Sequence, residues 1–279
     1  MYSEMKYPVD PATYKRMNTQ ELRRAFLVED TFNPGKITHT YSFTDRAVIG
    51  SAVPTGTPLK PEVSSKYLAA DYFLQRREMG IFNIGDEGTV KVSGEDYTLG
   101  NREILYVGRG NKEVVFQSTN PDAPAQFYFV SFPAHKEYPV AKGTIKDANV
   151  VDIGDQTHSS KRTLYQMIHP NGIPSCQLVM GFTELADGNV WNTMPPHTHL
   201  RRSEIYMYFS LDEDELVYHT MGEPDESRVL VIRNGQAVLS PEWSYHAGAG
   251  TQKYGFVWAM GGENQDFDDM DLLSKDVLY

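Results

Sequence analysis

A single cysteine, Cys176, in 279 residues leaves no second thiol for an internal disulfide. The same shortage removes Cys-rich zinc modules and iron–sulfur clusters from consideration. Cationic residues are also scarce: 26 Lys and Arg against 37 Asp and Glu give a formal charge of −11. General nucleic-acid binding needs the opposite balance, because surplus Lys and Arg make the phosphate contacts. A small anionic substrate stays compatible if arginines stand locally where its charge must sit. No run approaches the roughly 20 consecutive apolar residues of a membrane span. The first residues, Met1 to Pro8, lack the apolar core of a signal peptide. These shortages point to a soluble cytoplasmic protein with neither nucleic acid nor membrane among its partners.

What is present is a succession of short β-branched and aromatic segments broken by Gly, Pro, Asn and Asp. The first half offers Ile37–Tyr41, Arg46–Ser51, Gly80–Ile84, Gly88–Val92, Glu103–Val107 and Glu113–Gln117. The second half offers Arg162–Ile168, Ser175–Glu184, Glu204–Phe209, Glu215–Thr220, Arg228–Ile232, Gln236–Leu239 and Gly255–Met260. Many short strands with evenly spaced turns predict an all-β sandwich or barrel. One short helix is expected from Gln20 to about Glu29, capped at Asn18-Thr19, with Leu22, Ala25 and Phe26 at helical spacing. Ala134 to Asn149 is poor in large apolar residues and reads as a linker between domains 1–150 and 151–279.

The halves look related. Arg76-Arg77-Glu78 precedes a strand in the first half, as Arg201-Arg202-Ser203-Glu204 does in the second. The first half has no His-x-His before its arginines, and Gly110 or Asn111 stands near where His246 would be. A duplicated domain with a site only in the second copy accounts for this.

His197 and His199 are separated by one residue, so on a strand both imidazoles face the same way. With Glu204 nearby, such a pair is suited to a divalent cation. Five residues separate Glu204 from His199, which puts it on the opposite face of an ideal strand. A bend or bulge between Leu200 and Ser203 is therefore needed. His39, His135, His158 and His169 stand alone and read as surface or hydrogen-bonded structural residues. The acidic run Asp266–Asp271, interleaved with Phe267 and Met270, reads as a solvated or turn-forming segment.

The spacing His197-x-His199-x4-Glu204 resembles the first half of the cupin motif. The loop Pro241-Glu242-Trp243-Ser244-Tyr245-His246 resembles its second half. The resemblance implies a small β-barrel holding one metal ion on His197, His199, Glu204 and His246. Three imidazoles and a carboxylate suit Zn, Fe(II), Mn, Co or Ni. Longer runs resemble a narrower family, the bacterial 5-keto-4-deoxyuronate isomerases (4-deoxy-L-threo-5-hexosulose-uronate ketol-isomerases). They include Glu21-Leu22-Arg23, Tyr72-Phe73-Leu74 with Arg76-Arg77-Glu78, Lys112-Glu113-Val114-Val115-Phe116, Trp191-Asn192-Thr193-Met194-Pro195 and Phe267-Asp268-Asp269-Met270-Asp271. This resemblance implies a zinc-dependent aldose–ketose isomerisation of an unsaturated-uronate product in pectin and polyuronide catabolism, one Zn2+ per subunit, and a homohexamer.

Such a reaction moves a proton between adjacent carbons through an enediol and needs a base as well as an oxyanion stabiliser. Glu204 and Tyr206 are the first candidates, with His219, Glu184 and Glu263 behind them. Strand parity places Arg202, Glu204, Tyr206 and Tyr208 on one face, and Thr193 with the histidines on another. Arg202 is the expected clamp for the substrate carboxylate, since guanidinium geometry suits bidentate binding. Arg162, Thr183, Thr193 and Met260 are further expected substrate contacts. Other cupin activities stay open at this point: a sugar-phosphate isomerase, an oxygen-consuming Fe(II) dioxygenase, or a non-catalytic sugar-sensing cupin.

Overall fold

The computed structural model describes residues 4–279. It is an all-β fold, and two compact units divide it. The first comprises residues 4–5, 30–148 and 167–179; the second comprises residues 6–29, 149–166 and 180–279. The change of unit at Ala148 lies beside the expected boundary, but two segments belong to the unit that their sequence position does not suggest.

The first such segment carries the helices. Asn18 and Glu21 form a reciprocal cap at the start of the helix Thr19–Phe26. The helix ends at Phe26, before the expected Glu29, because Leu27 and Val28 pair as a strand with Val238 and Ala237. Tyr14, Phe26 and Trp243 form an edge-to-face cluster, with centroids 5.1–6.4 Å apart, and the Tyr14 hydroxyl donates to the Met221 carbonyl at 2.8 Å. Burying side chains of this size contributes about 1.5–3 kcal/mol each, which attaches the helices to the second unit.

The second segment is 167–179. The strand expected from Ser175 begins only at Val179. Before it, the backbone N–H groups of Cys176, Gln177 and Leu178 donate to the buried Glu78 carboxylate at 2.7–2.8 Å. The Tyr106 hydroxyl donates to the same group at 2.6 Å. A buried carboxylate is tolerated when its lone pairs are filled in this way. Residues 134–149 are likewise more than a linker: Ala141–Gly143 pairs with the strand Ile104–Val107, and Thr144 and Asp147 cap a 3-10 turn.

Each unit repeats one topology. In the first, neighbouring strands of the large sheet run Ile37–Ser42, Val48–Ala52, Phe127–Pro133, Arg77–Asn83 and Ile104–Val107. In the second they run Arg162–Ile168, Val179–Leu185, Gly255–Gly262, Arg202–Phe209 and Ala237–Ser240. Numbered in chain order within each unit, the two sequences of neighbours coincide. The smaller sheets correspond too: Glu95–Leu99, Gly88–Val92 and Val114–Ser118 match Glu226–Ile232, Val217–Glu223 and Tyr245–Gly250. The second unit adds the strand Trp191–Thr198 beside Tyr245–Gly250, and this strand carries His197. In the first unit only an isolated bridge, Leu59 to Phe116, stands there. The counterpart of His246 therefore lies within Val114–Ser118, not at Gly110 or Asn111. Phe116, Phe127 and Phe129 fill that interior.

His39 belongs to the same interior, 2% exposed beside Phe73 and Phe129. Burial pushes its pKa down from 6.5 to about 4. Between those values the unfolded chain binds a proton that the folded unit refuses. Stability therefore falls as pH falls through that window, by ~3 kcal/mol for this residue, and the loss is complete below the folded value. The urea midpoint of His39→Gln should decline less than that of the wild type between about pH 7 and pH 4.5. Parallel declines would show that His39 protonates freely inside the fold.

Candidate metal centre

The four expected ligands converge. Their donor atoms lie within 4.8 Å of one another, the sole such His, Cys, Asp and Glu group among the described residues. His197 Nε2 is 2.9 Å from His199 Nε2, while Glu204 Oε2 is 3.1 Å from His199 Nε2 and 2.8 Å from His246 Nε2. A tetrahedral ion with bonds of about 2.1 Å holds its ligand atoms about 3.4 Å apart, close to these separations.

Each ligand arrives by a different local device. His197 lies on Trp191–Thr198, opposite His246 on Tyr245–Gly250. Between Asn192 and His197 the register of that pairing shifts, and Thr193 takes a left-handed φ of 51°. The strand ends at Thr198 and the chain turns through Leu200-Arg201, with the Arg202 N–H donating to the His199 carbonyl at 3.0 Å. It re-enters as Arg202–Phe209 in the seven-stranded sheet. Glu204 thus faces the histidines from another sheet, and the turn through Leu200-Arg201 is the expected bend.

Glu204 Oε2 and both nitrogens of His246 are buried without an aligned hydrogen bond. Orphaned polar atoms of this kind are costly unless something pairs with them, and a divalent cation would satisfy Glu204 Oε2 and His246 Nε2 together. The residues present therefore fit a metal ion. Burial opposes ionisation of Glu204, but His246 and His199 outweigh it and hold the carboxyl below its usual range. Burial, with His246 and His199 behind it, keeps His197 neutral by pushing its pKa down to about 2. A neutral imidazole is the form that ligates.

Beside the four lies a cavity of about 200 Å³. Alternation along Gly255–Gly262 sends Phe256, Trp258 and Met260 into it, and alternation along Arg202–Phe209 sends Glu204 and Tyr206. Trp258 lies so close over Gly181 that a Cβ there would meet its ring at 2.4 Å, so only glycine fits. Arg162, Thr183 and Thr193 supply the remaining polar lining. The Tyr206 hydroxyl is 3.1 Å from Thr193 Oγ1. Burial, reinforced by the Glu204 charge, raises the Tyr206 pKa well above 10.0.

Arg202 departs from its expected role. Its guanidinium donates to the Asp266 and Asp269 carbonyls at 2.5 and 3.0 Å, away from the cavity lining. Parity placed its backbone correctly, but the long side chain turns toward carbonyls that no local pattern announces. Arg162 does line the cavity: it is 7% exposed, donates to the Ser160 carbonyl at 2.9 Å, and has no carboxylate partner among the described residues. His219 is buried on the Tyr208 hydroxyl at 2.8 Å, and Glu263 is exposed; neither lines the cavity, nor does Glu184. Sequence reasoning missed the apolar wall of Leu164, Phe256, Trp258, Phe267 and Met270. The interleaving of Phe267 and Met270 with acids was its one visible signal.

The sequence model of the KduI/IolB family matches residues 27–273. The chain belongs to this family. A 4-deoxy-L-threo-5-hexosulose-uronate ketol-isomerase of Oceanobacillus iheyensis is 49% identical, over 99% of each chain. The protein of the same name from Bacillus subtilis is 50% identical, again over 99% of each. Among solved structures, an IolB-like protein of Salmonella typhimurium superposes with a TM-score of 0.70 at 14% identity, covering 89% of this chain and 96% of that one. Oxalate decarboxylase of Bacillus subtilis gives 0.59 at 11%, covering 86% and 78%. At such low identity these two support the cupin-like fold alone. The relatives carry the narrower chemical name, and they share nearly the full length of this member of the family.

Proposed function

We propose that this chain is a metal-dependent ketol-isomerase acting on 4-deoxy-L-threo-5-hexosulose uronate, an open-chain aldehyde formed in polyuronide breakdown such as that of pectin. Near-half identity over the full length of named isomerases makes it an enzyme of the isomerase class. The observation that carries the reading within the molecule is the buried His197, His199, Glu204 and His246 set opening on a cavity that holds an unpaired arginine. Zinc, one per subunit, is the ion proposed because the family resemblance implies it; the three imidazoles and one carboxylate suit it but equally suit Fe(II), Mn, Co or Ni. A cytoplasmic homohexamer is part of the same proposal.

When bound, the ion supplies Lewis-acid polarisation of the substrate carbonyl. The other steps belong to the side chains. Arg162 replaces Arg202 as the anchor for the substrate carboxylate, since its charge lies in the cavity with only a carbonyl as partner. Glu204 and Tyr206 have their pKa values driven apart by their surroundings, the pattern that marks an acid–base pair. Glu204 stays ionised and is the one carboxylate among the lining residues; by leaving the metal as substrate binds, it takes the carbon-bound proton and returns it to the neighbouring carbon. Tyr206 stays protonated in the resting site, donates to the oxygen on which charge develops, and takes a proton back from the neighbouring hydroxyl as the new carbonyl forms. Thr193 Oγ1 orients that hydroxyl. Thr183 and Met260 shape the remaining wall, and Phe256 and Trp258 exclude water.

The deciding experiment is an anaerobic NMR assay with the unsaturated-uronate lyase product, with and without chelator. Conversion to the 2-ketose without oxygen, lost with chelator and regained with Zn2+, is the expected result. Unchanged substrate from metal-loaded protein would sink the isomerase reading and leave a binding role. Turnover only after oxygen is admitted would favour a dioxygenase. Arg162→Lys should raise KM about tenfold or more with metal content intact, because a charge-assisted contact of about 1.5–3 kcal/mol is weakened. An unchanged KM would remove Arg162 from the substrate.

A further inference from the structure

The segment after the strand Gly255–Gly262 forms a strap along the centre. Gly262 starts it with φ 153°, where a Cβ would meet the Arg201 carbonyl at 2.3 Å. At its far end Leu272 pairs opposite His197, and the Leu273 N–H donates to the Pro196 carbonyl at 2.9 Å. Between those ends, Phe267 and Met270 line the cavity. The middle is tied at Asp269. Arg201 Nε donates to its two carboxylate oxygens at 2.8 and 2.7 Å, Arg201 Nη2 contacts it as well, and Asn264 Nδ2 donates at 2.6 Å. The acidic segment that reads from sequence as solvated or turn-forming does turn at Phe267-Asp268, and it is fastened to the turn that connects His199 with Glu204.

The backbone at that residue reaches the ligand. The Asp269 carbonyl lies 3.2 Å from His199 Nδ1 and accepts from Arg202 Nη2 at 3.0 Å. Arg202 Nη2 is also 3.3 Å from His199 Nδ1. Two arrangements compete at that nitrogen. A bare Nδ1 would accept from Arg202 and leave the proton on Nε2, the atom that points at Glu204. A protonated Nδ1 donates to the Asp269 carbonyl and leaves the Nε2 lone pair free to ligate. The position of one carbonyl therefore selects the tautomer.

We propose that the Arg201–Asp269 pair is a positioning device for the metal centre: by fixing the strap it holds the Asp269 carbonyl against His199 Nδ1, and so keeps His199 Nε2 available as a ligand. Neither side chain touches the ion position, and their effect passes through the carbonyl and His199. The proposal rests on the metal-holding reading of the site, not on the reaction that the site performs.

The test measures metal, not turnover. Zn2+ affinity by competition with a chromophoric chelator, and the visible spectrum of the Co2+-loaded protein, are compared for wild type, Arg201→Gln, Asp269→Asn, the double variant and Arg201→Lys. Outer-shell partners of ligating histidines are typically worth about 10–100-fold in metal affinity. Each single neutral variant should weaken Zn2+ binding about tenfold or more and shift the Co2+ bands. The double variant should be no weaker than either single, because one device is removed in each case. Arg201→Lys keeps the charge and should recover part of the affinity. Wild-type affinity and an unmoved Co2+ spectrum in both singles would overturn the proposal while leaving the centre intact. Additive losses in the double variant would overturn it too, by showing two independent structural defects. Failure of the wild type to bind either ion would overturn the centre itself and this proposal with it.

Discussion

His246→Ala should lose bound metal and isomerase activity together, by well over the ~10–100-fold that removal of an outer-shell partner costs. The residue is 1% exposed and sits opposite His197 on the neighbouring strand. Alanine keeps the strand and its backbone pairing, so the change falls on the ligand set. Three donors then remain, and Glu204 loses the imidazole 2.8 Å from its Oε2, the neighbour that contributes most to keeping it ionised. A carboxylate 5% exposed with less positive surroundings is destabilising in the metal-free protein. Its pKa should rise toward the ordinary range, which makes residual metal binding weaken as pH falls. Metal analysis, activity and unfolding temperature are measured on the same preparation, with exposed His158→Ala as the companion that keeps all three. Full metal occupancy in His246→Ala would show that His246 is not a ligand.

How far this centre could be read from sequence depends on which physical rule each residue obeys. His197 and His199 were legible because strand alternation is a local rule, and the bulge at Thr193 lies before them. His246 required the cupin resemblance, since nothing local joins residues on two strands. Glu204 was legible as needing a bend, but the turn through Leu200-Arg201 also carries it into a second sheet, which is a property of topology. Arg202 turns away from the cavity for a related reason. Parity fixes where a strand residue's Cβ points, whereas a guanidinium several bonds further out goes where carbonyls await it. The strap was hidden by its composition: four aspartates in six residues read as a solvated or turn-forming segment, and nothing local shows the arginine on a distant turn that pairs with one of them. At the fold level, the duplicated strand order followed from short alternating segments and the repeated Arg-Arg pair. The early end of the helix and the late start of the strand at Val179 did not, because each is set by a partner far along the chain.

Tyr206→Phe is the sharpest test of the chemistry, because it removes one oxygen and leaves the metal ligands untouched. The ring packs edge-on to His246 at 5.0 Å and against Phe256 at 4.8 Å, contacts that phenylalanine retains. Metal content should therefore match wild type. Burial holds the proton of this hydroxyl well above the ordinary tyrosine range, and positioned proton donors contribute about 10²–10⁴-fold to rate. We expect kcat to fall within that range while KM changes little, since the loss is felt where charge develops on the substrate oxygen. The Thr193 hydroxyl would lose its partner, so Thr193→Val combined with Tyr206→Phe separates catalysis from the cost of an orphaned oxygen, about 1–3 kcal/mol of stability. The pH profile adds a sign. With its pKa raised, Tyr206 stays a donor throughout the neutral and mildly alkaline range, so wild-type kcat should show no alkaline loss there. In D2O the enediol route should place solvent deuterium on the newly formed hydroxymethyl carbon, and Tyr206→Phe should slow its appearance in step with turnover. An unchanged kcat would free Tyr206 from the reaction. A product without deuterium would show that the hydrogen moves between the carbons without exchanging with solvent, which removes a solvent-exchanging route through Glu204.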